Sequence, residues 1–336
     1  MIYLDSAAST RPIGPNDNPY QCGYFGNASS RTHPIGIQVR KKVEQAREHV
    51  AELLGLEGTR LIFSSGATES ANILIERLSS VKTLWMDNTS HPCVRRHGLN
   101  LSEIHSNDWR VGILVNNETG IIDFGNSKIL DVTQGVAKVR PEYWQTSTFI
   151  FGSAHKFHAP LGIGFIGTSD VGNWELIREN AHLSQERGIR PGTLNAPAII
   201  QTGEVAKWML KNGDEYRAKL KHLQSTFENK IKSLTDCWII GADQERAPHI
   251  TSLNLPGVDN EALIAAVNDR LAIASGSACT SEKVEPSHVL MAMFNDREIA
   301  DTTVRISYGW FNTEAEVLEA AEIIAKAAET IRSFSL

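Results

Sequence analysis

The sequence predicts an α/β fold: a mainly parallel central sheet flanked by helices, with a smaller α+β C-terminal domain. Three observations predict it. From residue 35 to residue 170, short apolar runs alternate with helix-period segments, as strands joined by crossovers do. Asn117, Asp131 and Lys156 each follow an apolar run on its C-terminal side, the edge where ligands bind in parallel sheets. Finally, 336 residues suffice for two packed domains. The expected division is a large domain over 13–213 and a small one made of 1–12 plus 214–336.

Taken in order, Met1 to Asp5 reads as a short edge strand, and the small residues Ser6 to Thr10 suit backbone that passes close to something else. Arg11 to Asn27 holds three prolines and three glycines without periodicity and reads as loop. Ile35, Val39, Val43, Ala46, Val50, Leu53 and Leu54 recur at three- and four-residue steps, predicting an amphipathic helix closed by Gly55. Arg60 to Phe63 is a strand, Ser64 to Ser70 a glycine turn, and Ala71 to Leu78 the next helix. That strand–turn–helix geometry aims free backbone N–H groups at an anion; an ordinary turn with a Ser or Thr cap fits as well. Leu84 to Met86, Val111 to Val115 and Phe165 to Gly167 complete the strands of this half. Arg187 to Thr193 is a polar, glycine-rich loop followed by helical sequence. Beyond it, Trp208 to Ile240 is helical and then strand-like, His249 to Leu255 alternates as a strand, and Glu261 to Leu271 is a helix. Thr303 to Ser307 is a strand, and Thr313-Glu-Ala-Glu316 is a capping box opening the last helix.

Bulk properties exclude several classes. A hydrophobic content of 41% with 21% charged residues is that of a soluble globular protein. The net charge of −6 argues against a large nucleic-acid-binding face. No apolar run approaches the roughly 18 residues of a membrane span, and no basic-then-apolar leader opens the sequence, so a cytoplasmic location is expected. Cys22, Cys93, Cys237 and Cys279 are widely spaced with no Cys-x-x-Cys pair, which disfavours a zinc site or a disulfide scaffold.

The chemistry centres on Phe149-Ile-Phe-Gly-Ser-Ala-His-Lys156. A lysine at the mouth of a buried strand loses hydration, which lowers its pKa, and a desolvated lysine forms Schiff bases with carbonyls. A surface lysine on a loop is the plainer alternative. Upstream, Asp131 ends the apolar pair Ile129-Leu130, and the interval to Lys156 leaves room for one crossover and one strand. A carboxylate for a pyridinium nitrogen and a lysine for the aldehyde are the two protein groups pyridoxal phosphate most needs. In Ala274-Ser-Gly-Ser-Ala-Cys279-Thr-Ser281 the small, polar surroundings suit an accessible, reactive thiol better than a packed one.

Asp131-Val-Thr-Gln134, Ser153-Ala-His-Lys156, Ser65-Gly-Ala-Thr-Glu-Ser70 and Ser275-Gly-Ser-Ala-Cys-Thr-Ser281 with Glu285-Pro-Ser-His288 together resemble the group I cysteine desulfurases, class-V aminotransferases of the pyridoxal-phosphate fold type I. The resemblance covers nearly the whole chain in the family's order. It implies that Lys156 carries pyridoxal 5'-phosphate, that Asp131 keeps its ring nitrogen protonated, and that His91 stacks on the ring and takes part in catalysis. It implies that Ala67, Thr68, Ser153 and His155 surround the phosphate, that Gln134 faces the ring oxygen, and that Thr193 reaches the phosphate of a neighbouring subunit in a homodimer. Asn117 and Arg305 would hold the carboxylate of L-cysteine, Lys156 would move the α-proton, and Cys279 would take the sulfur as a persulfide for an acceptor protein. A specialised pathway such as DNA phosphorothioate modification is the expected destination, with iron–sulfur assembly and tRNA thiolation as the others.

The sequence also departs from the family. Asp5-Ser-Ala-Ala-Ser9 stands where Asp-Asn-Ala-Ala-Thr is usual, and Gly26-Asn-Ala-Ser-Ser30 lacks the usual proline. Trp310 stands at the frequent second arginine. The stretches before residue 27 and over 121–128 are too short for the family's helices. A selenocysteine lyase, another pyridoxal-phosphate lyase or transaminase, and a non-catalytic scaffold that binds the cofactor are the alternatives. No direct nucleic-acid contact, membrane association or metal is expected.

Overall fold

The computed structural model describes residues 1–13, 26–99, 105–178, 185–276 and 285–334. In chain order its elements are strand β1 (Ile2–Tyr3), helix α1 (Pro34–Leu53), β2 (Leu61–Ser64), α2 (Ala67–Leu78), β3 (Leu84–Met86), α3 (Pro92–Arg95), β4 (Trp109–Ile113), β5 (Ile129–Asp131), β6 (Phe149–Ser153) and β7 (Gly164–Thr168). Then come α4 (Ala196–Leu234), β8 (Trp238–Ile239), β9 (Ile250–Asn254), α5 (Asn260–Val267), β10 (Leu271–Ala272), β11 (Ala274–Ser275), α6 (His288–Phe294), α7 (Arg297–Asp301), β12 (Thr303–Ser307) and α8 (Glu314–Phe334). They form two compact units: 12–114 with 123–213, and 1–11 with 115–122 and 214–336.

The first unit is built on one sheet of order β2-β7-β6-β5-β4-β3. Strands β3, β4, β5 and β6 pair in parallel. β7 alone runs against its neighbours β6 and β2. Leu74, Val111, Phe149, Phe151 and Ile166 are buried in its main hydrophobic cluster, which explains why the strands read as continuous apolar runs. Pro34 at the first turn and His33, whose side chain accepts from the Gly36 N–H, start α1. Gly55, at a φ of 69°, turns the chain out in the left-handed region that glycine adopts without strain.

One helix starts earlier than periodicity suggested. α2 begins at Ala67, directly after its cap Gly66, not at Ala71. α4 begins at Ala196, where helical sequence is expected after the Arg187–Thr193 loop. The helix expected over 261–271 ends at Val267, and Leu271 instead joins β10, which pairs in parallel with β1. Residues 121–128 contain no helix, as their brevity required.

The second unit has an antiparallel sheet of order β11-β12-β9-β8. Helices α5 and α8 pack against one another, and the capping box of α8 is formed: the Thr313 N–H donates to Glu316 Oε2 at 2.9 Å and the Glu316 N–H to Thr313 Oγ1 at 3.2 Å. Residues 115–122 form a buried turn in this unit. Val115 bridges Ile122, Ile121 bridges Arg246, and the Asn116 side chain accepts from the Glu118 and Thr119 N–H groups.

One buried ion pair supports the first unit. Arg47 Nη2 and Nη1 donate to Glu186 at 2.7 and 2.9 Å, and Glu186 also accepts from the Phe63 N–H of β2. Their side chains are 7% and 1% exposed. Removing one member strands the other charge in a dry site. Arg47→Met is therefore expected to lower the unfolding free energy by about 3–5 kcal/mol, measured by chemical denaturation.

Candidate active site

In the first unit, the polar residues that end the strands meet at one edge of the sheet. Asp131 is the last residue of β5, and its Oδ1 accepts from the Thr133 N–H at 2.8 Å. β6 ends at Ser153, and a 3-10 turn, Ala154–Phe157, carries His155 and Lys156. Ser64 and Ser153 both lie opposite Gly164 in the strand register, so the ends of β2 and β6 meet the start of β7. A Cβ on Gly164 would strike the Gly66 backbone, so only glycine lets β7 lie this close to the turn before α2. Gly66 caps α2 without a side-chain acceptor, leaving the first-turn N–H groups without that partner. Ser153 Oγ lies 4.0 Å from the position a Gly66 Cβ would take.

Electrostatics ties these residues together. Asp131 is buried, and burial raises its carboxyl despite the Thr133 bonds and the Lys156 charge. Burial and then the Lys156 charge pull the His91 imidazole down to about 4. Burial, Lys156 and Lys138 do the same to His155, also to about 4. The Cys93 N–H donates to His91 Nδ1 at 3.2 Å, so the neutral ring carries its proton on Nε2. Of the other expected residues in this unit, Gln134 is buried, Ala67 half-buried and Thr68 exposed, while Thr193 is exposed on the loop before α4.

Asn117 and Arg305 belong to the second unit. Arg305 lies on β12, its side chain 4% exposed. Nη1 donates to the Asn117 carbonyl at 2.9 Å and Nη2 to Asp5 Oδ1 at 2.8 Å, whereas the buried Nε has no hydrogen-bond partner. A guanidinium with an unpaired buried N–H suits a ligand carboxylate. Cys279 lies outside the described residues, as does Cys22. Among the described residues no group of histidine, cysteine and acidic side chains is placed to hold a metal.

Sequence reasoning passed over two residues. Lys138 is 1% exposed, and its Nζ donates to the Lys156 carbonyl at 2.6 Å; burial and then Lys156 lower its pKa. Glu118, 3% exposed, accepts from Ser287 Oγ. A lysine inside the small and apolar stretch Gly135-Val-Ala-Lys-Val139, and a glutamate directly after a buried strand, were the available signals.

The model of the class-V aminotransferase family matches residues 2–88 and 124–319. A cysteine desulfurase IscS from Salmonella schwarzengrund is 31% identical over 385 residues, covering 99% of this chain and 94% of that protein. The chain belongs to the cysteine desulfurases of the class-V aminotransferase family. The IscS of Buchnera aphidicola is 32% identical with the same coverage. These alignments are longer than the 336-residue chain, so the relatives hold segments this desulfurase relative lacks. Among solved structures, DndA from Streptomyces lividans is 28% identical with a TM-score of 0.69, over 86% of this chain and 94% of that one. A NifS-like protein from Rickettsia africae, 23% identical, shares the fold with a TM-score of 0.82 over 99% of both chains. The fold is thus the pyridoxal-phosphate type I fold.

Enzymes of this family depend on pyridoxal 5'-phosphate, and the residues present fit it. Asp131 is a buried carboxylate short of positive charge, which a protonated ring nitrogen supplies. The uncapped start of α2 suits a phosphate.

The His91 shift sets a pH signature. A base whose pKa falls on folding is protonated first in the unfolded chain, so its share of stability is lost as pH falls. The cofactor-free protein is expected to lose stability relative to His91→Asn between pH 6.5 and about 4, with a constant difference above pH 7.5. Thermal melts of the two proteins across that range check it.

Proposed function

We propose that this chain is a pyridoxal-phosphate-dependent cysteine desulfurase that converts L-cysteine to L-alanine and hands the sulfur to an acceptor protein. The observation that carries the proposal is the meeting of Asp131, His91 and Lys156 at one sheet edge in a chain of this family. The cofactor supplies an electron sink for the α-carbon when bound. Lys156 would anchor it, and its Nζ would move the α-proton. Asp131 holds a proton on the ring nitrogen. His91, neutral and protonated on Nε2, presents a ring face and a donor. Ala67, Thr68, Ser153 and His155 line the phosphate side, and Gln134 serves the ring oxygen. Arg305 and Asn117 receive the substrate carboxylate.

Cys279 is the sulfur acceptor. Its thiolate attacks the substrate sulfur; the S–S bond forms as the C–S bond breaks, and the electron pair stays with the carbon skeleton. The skeleton takes up protons and leaves as alanine. The net change is L-cysteine plus Cys279 thiol to L-alanine plus Cys279 persulfide, with no external oxidant or reductant. The large domain binds the cofactor and the small one carries the cysteine segment. The working form is a cytoplasmic homodimer in which Thr193 serves the neighbouring subunit's phosphate. The compact sequence, with 121–128 reduced to a turn, supports a specialised destination such as DNA phosphorothioate modification over general iron–sulfur supply.

Cys279→Ala is expected to cut alanine formation from L-cysteine by on the order of 10³-fold or more, while the loaded protein keeps its visible absorbance and its spectral response to cysteine. Undiminished alanine formation in that variant would point to a lyase or transaminase that needs no cysteine. Lys156→Ala is expected to leave no covalent cofactor after borohydride reduction, read by mass spectrometry.

A further inference from the structure

The second unit holds a buried glutamate that the reaction as described does not use. Glu118 sits on the 115–122 turn immediately after Asn117, whose carbonyl Arg305 grips. Its carboxylate faces two points far away in sequence. Ser287 Oγ donates to Glu118 Oε2, and Ser287, 3% exposed, also caps α6 by accepting from the Leu290 N–H at 3.1 Å. On the other side, a Cβ at Gly276 would collide with the same Oε2. Gly276 and Ser287 flank the stretch that contains Cys279. One carboxylate therefore touches the chain on both sides of the sulfur acceptor and follows directly on the residue held by the carboxylate clamp.

We propose that Glu118 is a positioning residue that ties both flanks of the Cys279 segment to the Arg305–Asn117 clamp. This rests on the desulfurase reading and adds a part to it. The chemistry asks for such a tie, because a sulfur-to-sulfur attack depends on aligned partners, and a shift of about 1 Å costs about 10²-fold in rate. The contacts are the right kind. The Ser287 bond is buried, the Gly276 contact admits no side chain, and the Asn116 side chain fixes the turn by accepting from the Glu118 N–H at 2.9 Å. Burial pushes the Glu118 carboxyl up to about 7, against the pull of the Ser287 hydroxyl and the Arg305 charge. The group has thus been kept in a dry place at a cost, as fits a part whose use is alignment.

The holoenzyme tests this in two stages. The first is the change in cofactor absorbance on rapid mixing with L-cysteine; the second is persulfide formation on Cys279 in a single turnover, read by mass spectrometry. Glu118→Ala is expected to slow the second stage about 10- to 100-fold and the first less than about threefold. Glu118→Gln, which keeps an acceptor for Ser287, is expected to restore most of the rate. Gly276→Ala is expected to mimic Glu118→Ala, and the double variant to be no slower than Glu118→Ala alone, since the missing carboxylate makes room for the methyl. A Glu118→Ala second stage at the parent rate, or equal loss in both stages, overturns the proposal. Alkylation of Cys279 by iodoacetamide in the cofactor-free protein is a readout that needs no turnover. Glu118→Ala and Gly276→Ala are each expected to change its rate by about threefold or more, and unchanged rates in both overturn the proposal. A parent protein that forms no persulfide refutes the desulfurase reading, while the alkylation comparison still decides the role of Glu118.

Discussion

Asp131 is buried at the end of β5 without enough positive charge around it, and much of the first unit is arranged about that deficit. A carboxylate removed from water is held ionised only by hydrogen bonds or a nearby cation. The Thr133 N–H and the Lys156 charge act in that direction and do not overcome burial. The same edge gathers Lys156 with Lys138; burial and then the Lys156 charge keep His91 neutral, and burial, Lys156 and Lys138 do the same for His155. Such a set is costly to bury. A ligand that is cationic at one atom, carbonyl-like at another and anionic at a third relieves it, which is the description of pyridoxal phosphate.

The sheet makes the arrangement possible. Parallel strands bring their C-terminal ends to one edge, and β7, running backwards between β2 and β6, brings its first residue there too. Gly164 then allows the α2 turn to sit against the strand. The site is thus built on strand ends and one helix start, elements whose backbone is already fixed by the ladder and by the cluster around Leu74, Phe149 and Ile166.

In the second unit the governing feature is a single guanidinium. Arg305 is held by Asp5, near the start of the chain, and by the carbonyl of Asn117, in the middle of it. Part of its charge is answered within the unit, and the orientation of the guanidinium is already set. That pre-organisation lowers the ordering cost of binding. The substitution of Trp310 for a second arginine has no explanation in its contacts: its carbonyl accepts from Lys219 Nζ, and that amine stacks on its ring.

Strand ends were legible without coordinates, because an apolar run broken by Asp131, or by Gly152-Ser153 before Lys156, is a local signal. So were the helix periodicity of α1, the capping box of α8 and the strings shared with the desulfurases. Helix starts were less legible, since small residues such as Ala67 to Ser70 satisfy turn and helix alike until the rest of the fold packs on them. Burial of polar side chains was not legible at all. Lys138 and Glu118 look like ordinary charged residues in the sequence, and their partners, the Lys156 carbonyl and Ser287, are named by no pattern. The sequence alone determined which residue types end the strands and which family they belong to. Which charges share a dry space, and which residue stands at both flanks of the cysteine segment, only the tertiary structure decided. The physical reason is that hydrophobic periodicity acts over a few neighbouring residues, whereas desolvation and long-range hydrogen bonds are properties of the packed whole.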